Sequence, residues 1–96
     1  MIARLQSVVL DAADIAAEAG FYRGLTDWPQ QDAEDDWITL APGTGWTVSF
    51  QLAPDHVPPQ WPGQARPQQA HLDLRVGDLD AGIARAIGLG ATDTGR

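Results

Sequence analysis

Two stretches, "SVVLDAADIAAEAGFYRGL" at 7–25 and "HLDLRVGDLDAGIARAIGL" at 71–89, repeat one order of features at an offset of 64 residues. Leu10 aligns with Leu74, Asp14 with Asp78, Ala17 with Ala81, Gly24 with Gly88 and Leu25 with Leu89. In each copy an apolar, strand-like run leads to an Asp suited to cap a helix, and then to a helix closing at Gly-Leu. A repeated unit of this size constrains the fold strongly, because each copy must bury its apolar face against something. The chain reads as a βαβββ module followed by the start of a second.

Within the first module, residues 4–11 read as a strand. Asp14 is placed to cap a helix over 15–25, with Ile15, Ala19, Tyr22 and Phe21 on or near its buried stripe and Gly24 and Thr26 marking its end. The polar segment 27–36 holds an edge strand, since Pro29 is barred from a central one. Strands over 36–42 and 46–53 flank the turn "PGTG" and form a hairpin. Trp46, Val48, Phe50 and Leu52 share one face of the second of these strands, and Thr47, Ser49 and Gln51 share the other.

Five prolines between residues 54 and 69 rule out a helix or a central strand there. A loop of that length inside a small domain is a linker or carries function. A strand is expected to return over 70–76, and Asp78 to cap a helix over 79–90 that ends at Gly88 or Gly90. We expect one domain over 1–96: a first module at about 4–52, a Pro-rich loop at 53–69 and a partial second module at 70–96. By the same offset, the counterparts of residues 28–52 would fall at 92–116, outside this sequence. The natural chain is expected to continue, or a second copy to supply the missing strands.

Charge and composition exclude several functions. The formal charge of −7 argues against nucleic acid, whose phosphates need a basic surface, and mildly favours cationic small ligands. All six basic residues are Arg, so no lysine Schiff base is available. There is no cysteine, hence no disulfide and no Cys-based zinc site. No apolar run approaches the roughly 20 residues of a membrane span, and no signal peptide is evident, so a cytoplasmic protein is expected. No nucleophile elbow, phosphate loop or metalloprotease signature occurs. "DAEDD" at 32–36 lacks the glycine and spacing of a calcium loop and reads as a solvated turn.

The stretches "SVVLDAADIAAEAGFYRGLTDWP", "DDWITLAPGTGWTVSFQLAPD" and "PPQWPGQARPQQAHLDLRVGDLDAGIARAIGLGAT" resemble the glyoxalase-like branch of the vicinal oxygen chelate superfamily. That superfamily includes glyoxalase I, extradiol dioxygenases and bleomycin-resistance proteins. The resemblance implies an α+β fold of paired βαβββ modules whose sheets curve into a cup, the second module here being truncated after its helix. It also implies a homodimer and, in catalytic members, a divalent metal (Zn, Ni, Fe or Mn) in the cup. By resemblance the first-strand metal ligand falls on Ser7, where metal-binding members usually carry His. Its fourth-strand partner falls near Gln51, and the second module's ligand falls on His71.

Alternation adds to this. His71, Asp73 and Arg75 share one face of the expected strand, and Leu72, Leu74 and Val76 the other. His71 can act as metal ligand or general base, or simply bond to Asp73; Asp73 and Arg75 can pair along the strand. Trp61, on the proline-stiffened loop, can close over a ligand or plug one end of the sheet. His56 reads as a solvated loop residue and Trp46 as core, while Trp37 shares a face with Thr39 and can reach the cup. The candidate ligand-binding residues are thus Ser7, Trp37, Ser49, Gln51, Trp61, His71 and Asp73, with His71 and Gln51 as candidate metal ligands; no catalytic residue is assigned. Besides a scaffold with neither activity, two functions remain. One is a metal-dependent lyase, isomerase or dioxygenase. The other is a non-catalytic protein that sequesters a small molecule or antibiotic, favoured by Ser7 and by the negative charge.

Overall fold

A computed structural model describes residues 2–95, and the chain divides into two compact units, Met1–His56 and Val57–Arg96. The first unit holds β1 (Ser7–Ala12), α1 (Ile15–Thr26), β2 (Gln30–Ala33), β3 (Trp37–Leu40) and β4 (Thr47–Leu52). The strands form one open sheet in the order β1-β4-β3-β2, β1 running parallel to β4 and the other pairs antiparallel. This is the expected α+β module. Parallel pairing of β1 with β4 follows from the connection: a strand that must lie parallel to its partner needs a crossover, and α1 provides its start.

Asp14 begins α1 as expected, its side chain accepting the backbone N–H of Ala17 at 3.0 Å. The helix runs past Gly24 to Thr26, whose hydroxyl donates to the Tyr22 carbonyl at 2.6 Å. It is closed by Asp27 in the left-handed region (φ 60°), whose N–H bonds the Arg23 carbonyl. Ile15 and Ala19 are buried, and Tyr22 packs beside them with its ring 5.7 Å from that of Phe50 and 5.2 Å from that of Phe21.

The sheet's helix-side face supplies the rest of the core. Leu40, Val48 and Phe50 are completely buried, joined by Ile38 and Ala12, with Leu10, Trp28, Trp46 and Leu52 packed around them. Burying one such large side chain contributes about 1.5–3 kcal/mol. β2 forms the opposite edge, exposed throughout, polar and interrupted by a register shift between Gln30 and Asp32. Those features discourage pairing with a foreign strand.

The second unit departs from expectation. Its helix α2 (Leu79–Gly88) is capped by Asp78, which accepts the Ala81 N–H at 3.0 Å, in the manner of Asp14. Residues 70–76 are not a strand. A strand exists only by pairing, and no ladder in the described residues reaches this segment. Leu74 and Val76, expected on a core face, are 39% and 44% exposed. The repeat therefore shares its helix and cap but not its burial. Ile15 and Ala19 are inside, whereas their counterparts Leu79 and Ile83 are 69% and 38% exposed. No helix among the described residues is long and apolar enough to cross a membrane.

Candidate ligand-binding face

Side chains alternate across a strand, so the face opposite α1 carries Ser7, Val9 and Asp11 of β1, Thr47, Ser49 and Gln51 of β4, and Trp37 and Thr39 of β3. Register places Ser7 opposite Thr47, and Val9, Ser49 and Thr39 in one row across the three strands. The hydroxyls of this face touch one another. Thr47 Oγ1 donates to Ser7 Oγ at 3.0 Å, and Ser7 Oγ donates to the Thr47 carbonyl at 3.3 Å. Ser49 Oγ lies 2.9 Å from Thr39 Oγ1 and 3.5 Å from Ser7 Oγ. Trp37 Nε1 donates to Thr39 Oγ1 at 3.0 Å.

An indole N–H can only donate, so Thr39 Oγ1 accepts from Trp37, while either hydroxyl can be the donor in the Thr39–Ser49 and Ser49–Ser7 pairs. With Ser7 donating to the Thr47 carbonyl, one order satisfies the row: Thr39 donating to Ser49 and Ser49 donating to Ser7. This arrangement gives every hydroxyl proton an acceptor. Ser49 is 2% exposed and Thr39 8%, so full pairing matters: an unpaired buried hydroxyl costs about 1–3 kcal/mol. Among the described residues no buried side-chain polar atom lacks a partner. Among the described residues no imidazole or carboxylate bonds to these hydroxyls. Tyr22, whose pKa is raised by burial with a contribution from the Glu18 carboxylate, belongs to the opposite, helix-side packing. A groove of about 660 Å³, lined by Ala3–Gln6 and Thr44–Trp46, adjoins the Ser7–Thr47 end of the strands.

The structure brings together four of the expected residues, Ser7, Ser49, Trp37 and Gln51, on one face. It also adds Thr39 and Thr47 to the bonded row and Asp11 at its far end. Asp11 has the same alternation as Ser7, and that was the signal available for it. Ser7 and Gln51 do not meet. Gln51 is opposite Asp11, four residues along β4 from the partner of Ser7, which separates the two by roughly 13 Å along the strand. The side chains that meet Ser7 are Thr47, at 3.0 Å, and more distantly Ser49, at 3.5 Å. Two neutral hydroxyls are poor metal ligands, and no group of three or more His, Cys, Asp or Glu among the described residues could hold a metal ion. The donor set on this face does not fit a divalent metal.

His71 and Asp73 lie in the second unit and are exposed there. His71 Nε2 is 3.2 Å from Asp73 Oδ1, and its Nδ1 is 3.3 Å from Gln68 Nε2. Asp73 thus pairs with His71 rather than Arg75. With side chains 59% and 92% exposed, the pair contributes little stability. Trp61, 41% exposed, sits on the Pro-rich loop of the same unit.

The glyoxalase-like domain model matches residues 7–96. No curated protein matches the chain significantly. Similar solved structures include a bleomycin resistance determinant encoded on the transposon Tn5, at 19% identity and TM-score 0.59, with 98% of this chain and 71% of that chain covered. A bleomycin-binding protein complexed with bleomycin matches at 19% identity and TM-score 0.52, covering 96% of this chain and 69% of that one. An integron cassette protein from the mobile metagenome of V. cholerae matches at 19% identity and TM-score 0.55, covering 96% and 71%. At this identity the structural likeness is one of fold. The family model spans nearly all of the sequence, and the chain belongs to the glyoxalase-like domain family.

Proposed function

We propose that the protein is a non-catalytic binder that sequesters a small organic molecule on the hydroxyl-bearing face of its sheet, without a metal. The observation that carries this reading is the bonded row Trp37–Thr39–Ser49–Ser7–Thr47, in which the half-buried Trp37, Ser7 and Thr47 offer polar atoms and the buried Thr39 and Ser49 hold them in place. A few directed polar groups beside aromatic surface are what a small-ligand site needs. Two structural neighbours named for bleomycin resistance or bleomycin binding support an antibiotic as the ligand class. A cytoplasmic homodimer is part of the same proposal. The exposed apolar residues Leu79, Ile83 and Ile87 of α2 would be covered by self-association, which light scattering reads.

The test is a titration of the isotope-labelled full chain with bleomycin, and separately with zinc, followed by amide chemical shifts. Bleomycin should move the signals of Ser7, Ser49, Thr39 and the Trp37 indole, and zinc should leave them unmoved. Stoichiometric zinc binding with shifts at Ser7 and Ser49 would overturn the metal-free reading. Bleomycin binding that spared the sheet face would overturn the site.

A further inference from the structure

The far end of the same sheet face carries a second row, outside the bonded hydroxyls. Asp11 of β1 stands opposite Gln51 of β4, and Gln51 opposite Trp37 of β3. Neighbouring strands lie about 4.8 Å apart, so a carboxylate, an amide and an indole stand in line across roughly 10 Å. Asp11 and Gln51 are exposed and Trp37 is half-buried. Neither Asp11 nor Gln51 bonds to another side chain among the described residues, whereas the Trp37 ring is fixed by its bond to Thr39. Val9, 41% exposed, precedes Asp11 on the same face and offers apolar surface beside the acid.

We propose that Asp11, Gln51 and Trp37 form a subsite for an organic cation, an ammonium or amidinium group carried by the ligand. The proposal rests on the reading of this face as a small-molecule site. Asp11 accepts charge-assisted hydrogen bonds from the cation's N–H groups, and Gln51 Oε1 accepts another. The indole face attracts positive charge, and Val9 meets the carbon body of the ligand. No Arg, Lys or His lies in the paired rows of this face, so an anion would find a carboxylate and no counter-charge. The chain's net charge of −7 raises the local concentration of cations.

Benzamidine and benzoate, matched in shape and opposite in charge, test this on the isotope-labelled full chain at neutral pH and fixed ionic strength. Benzamidine should shift the amides of Asp11 and Gln51 and the Trp37 indole N–H, and benzoate should not. Asp11→Asn, equal in size and already exposed, should weaken benzamidine binding about tenfold. Glu34→Gln removes one charge from an exposed turn and should leave binding unchanged. An equal response to benzoate, or undiminished benzamidine binding by Asp11→Asn, would overturn the proposal. So would benzamidine shifts confined to Ser7, Ser49 and Thr39, though that outcome would leave the hydroxyl row standing as a ligand site. If neither bleomycin nor benzamidine moved any signal of the face, the subsite and the functional reading would fall together.

Discussion

Removing the Ser49 hydroxyl tests whether the row on the sheet face is a coupled unit. In Ser49→Ala, Thr39 loses the acceptor 2.9 Å away while remaining 8% exposed, too enclosed for water to replace it freely. The contact with Ser7 at 3.5 Å is long and adds little. A stranded buried hydroxyl costs about 1–3 kcal/mol, so the expected loss is about 2 kcal/mol. Thr39→Ala strands Ser49, removes a methyl group and releases the half-buried Trp37 N–H, for a similar loss of about 2 kcal/mol. The double variant strands neither hydroxyl and should lose about 2–3 kcal/mol, well short of the sum. The coupling is then about 1–2 kcal/mol, several times the scatter of independent sites. Urea unfolding followed by tryptophan fluorescence and far-ultraviolet dichroism measures all four corners of the cycle. Additive losses would show that the row is a set of separate contacts.

Phe50→Ala empties a completely buried site at the centre of the core and should cost about 3–5 kcal/mol, read as a fall in the urea midpoint. Asp14→Ala removes a cap from a helix with buried residues and should lower stability by about 1 kcal/mol. Asp78→Ala removes the equivalent cap from a helix with none, and its effect should appear as lost helical chemical shifts over 79–88, with little change in the urea midpoint. Tyr22 has a raised pKa in the folded chain through burial and Glu18, so folding favours its neutral form. Its contribution is complete below the unfolded tyrosine value of about 10 and is lost as pH rises through the folded value. Stability should therefore fall in that alkaline range for the native chain, and Tyr22→Phe should remove this component. An unchanged alkaline profile in Tyr22→Phe would refute the assignment.

The first module was legible because its signals are local. Asp14 and Asp78 act through the three residues that follow them, and the alternation of β4 needs only its own sequence to divide Val48 and Phe50 from Ser49 and Gln51. Residues 70–76 have the same alternation and no strand. The alternating pattern states which face a strand would bury, but a strand also needs a neighbour to take its N–H and C=O groups, and a single segment carries no information about one. The pairing of Ser7 with Thr47, and not with Gln51, was hidden for a related reason. It depends on the register of β1 against β4, set by the crossover through α1 and by the packing of Leu10 and Ala12, neither of which can be read from the two strands separately.

That register decides what the face can do. A His at position 7 and a carboxylate at position 49 would place a nitrogen and an anionic oxygen side by side, within reach of one metal ion. Serine at both positions replaces the two donors with hydroxyls that satisfy each other and their neighbours. The charge that remains lies at the other end of the face, on Asp11, beside an amide and an indole. On the proposed reading, the polar groups and aromatic surface of the face hold a ligand. If the proposal holds, what decides between holding a ligand and activating it is the set of side chains on this face, not the backbone that presents them.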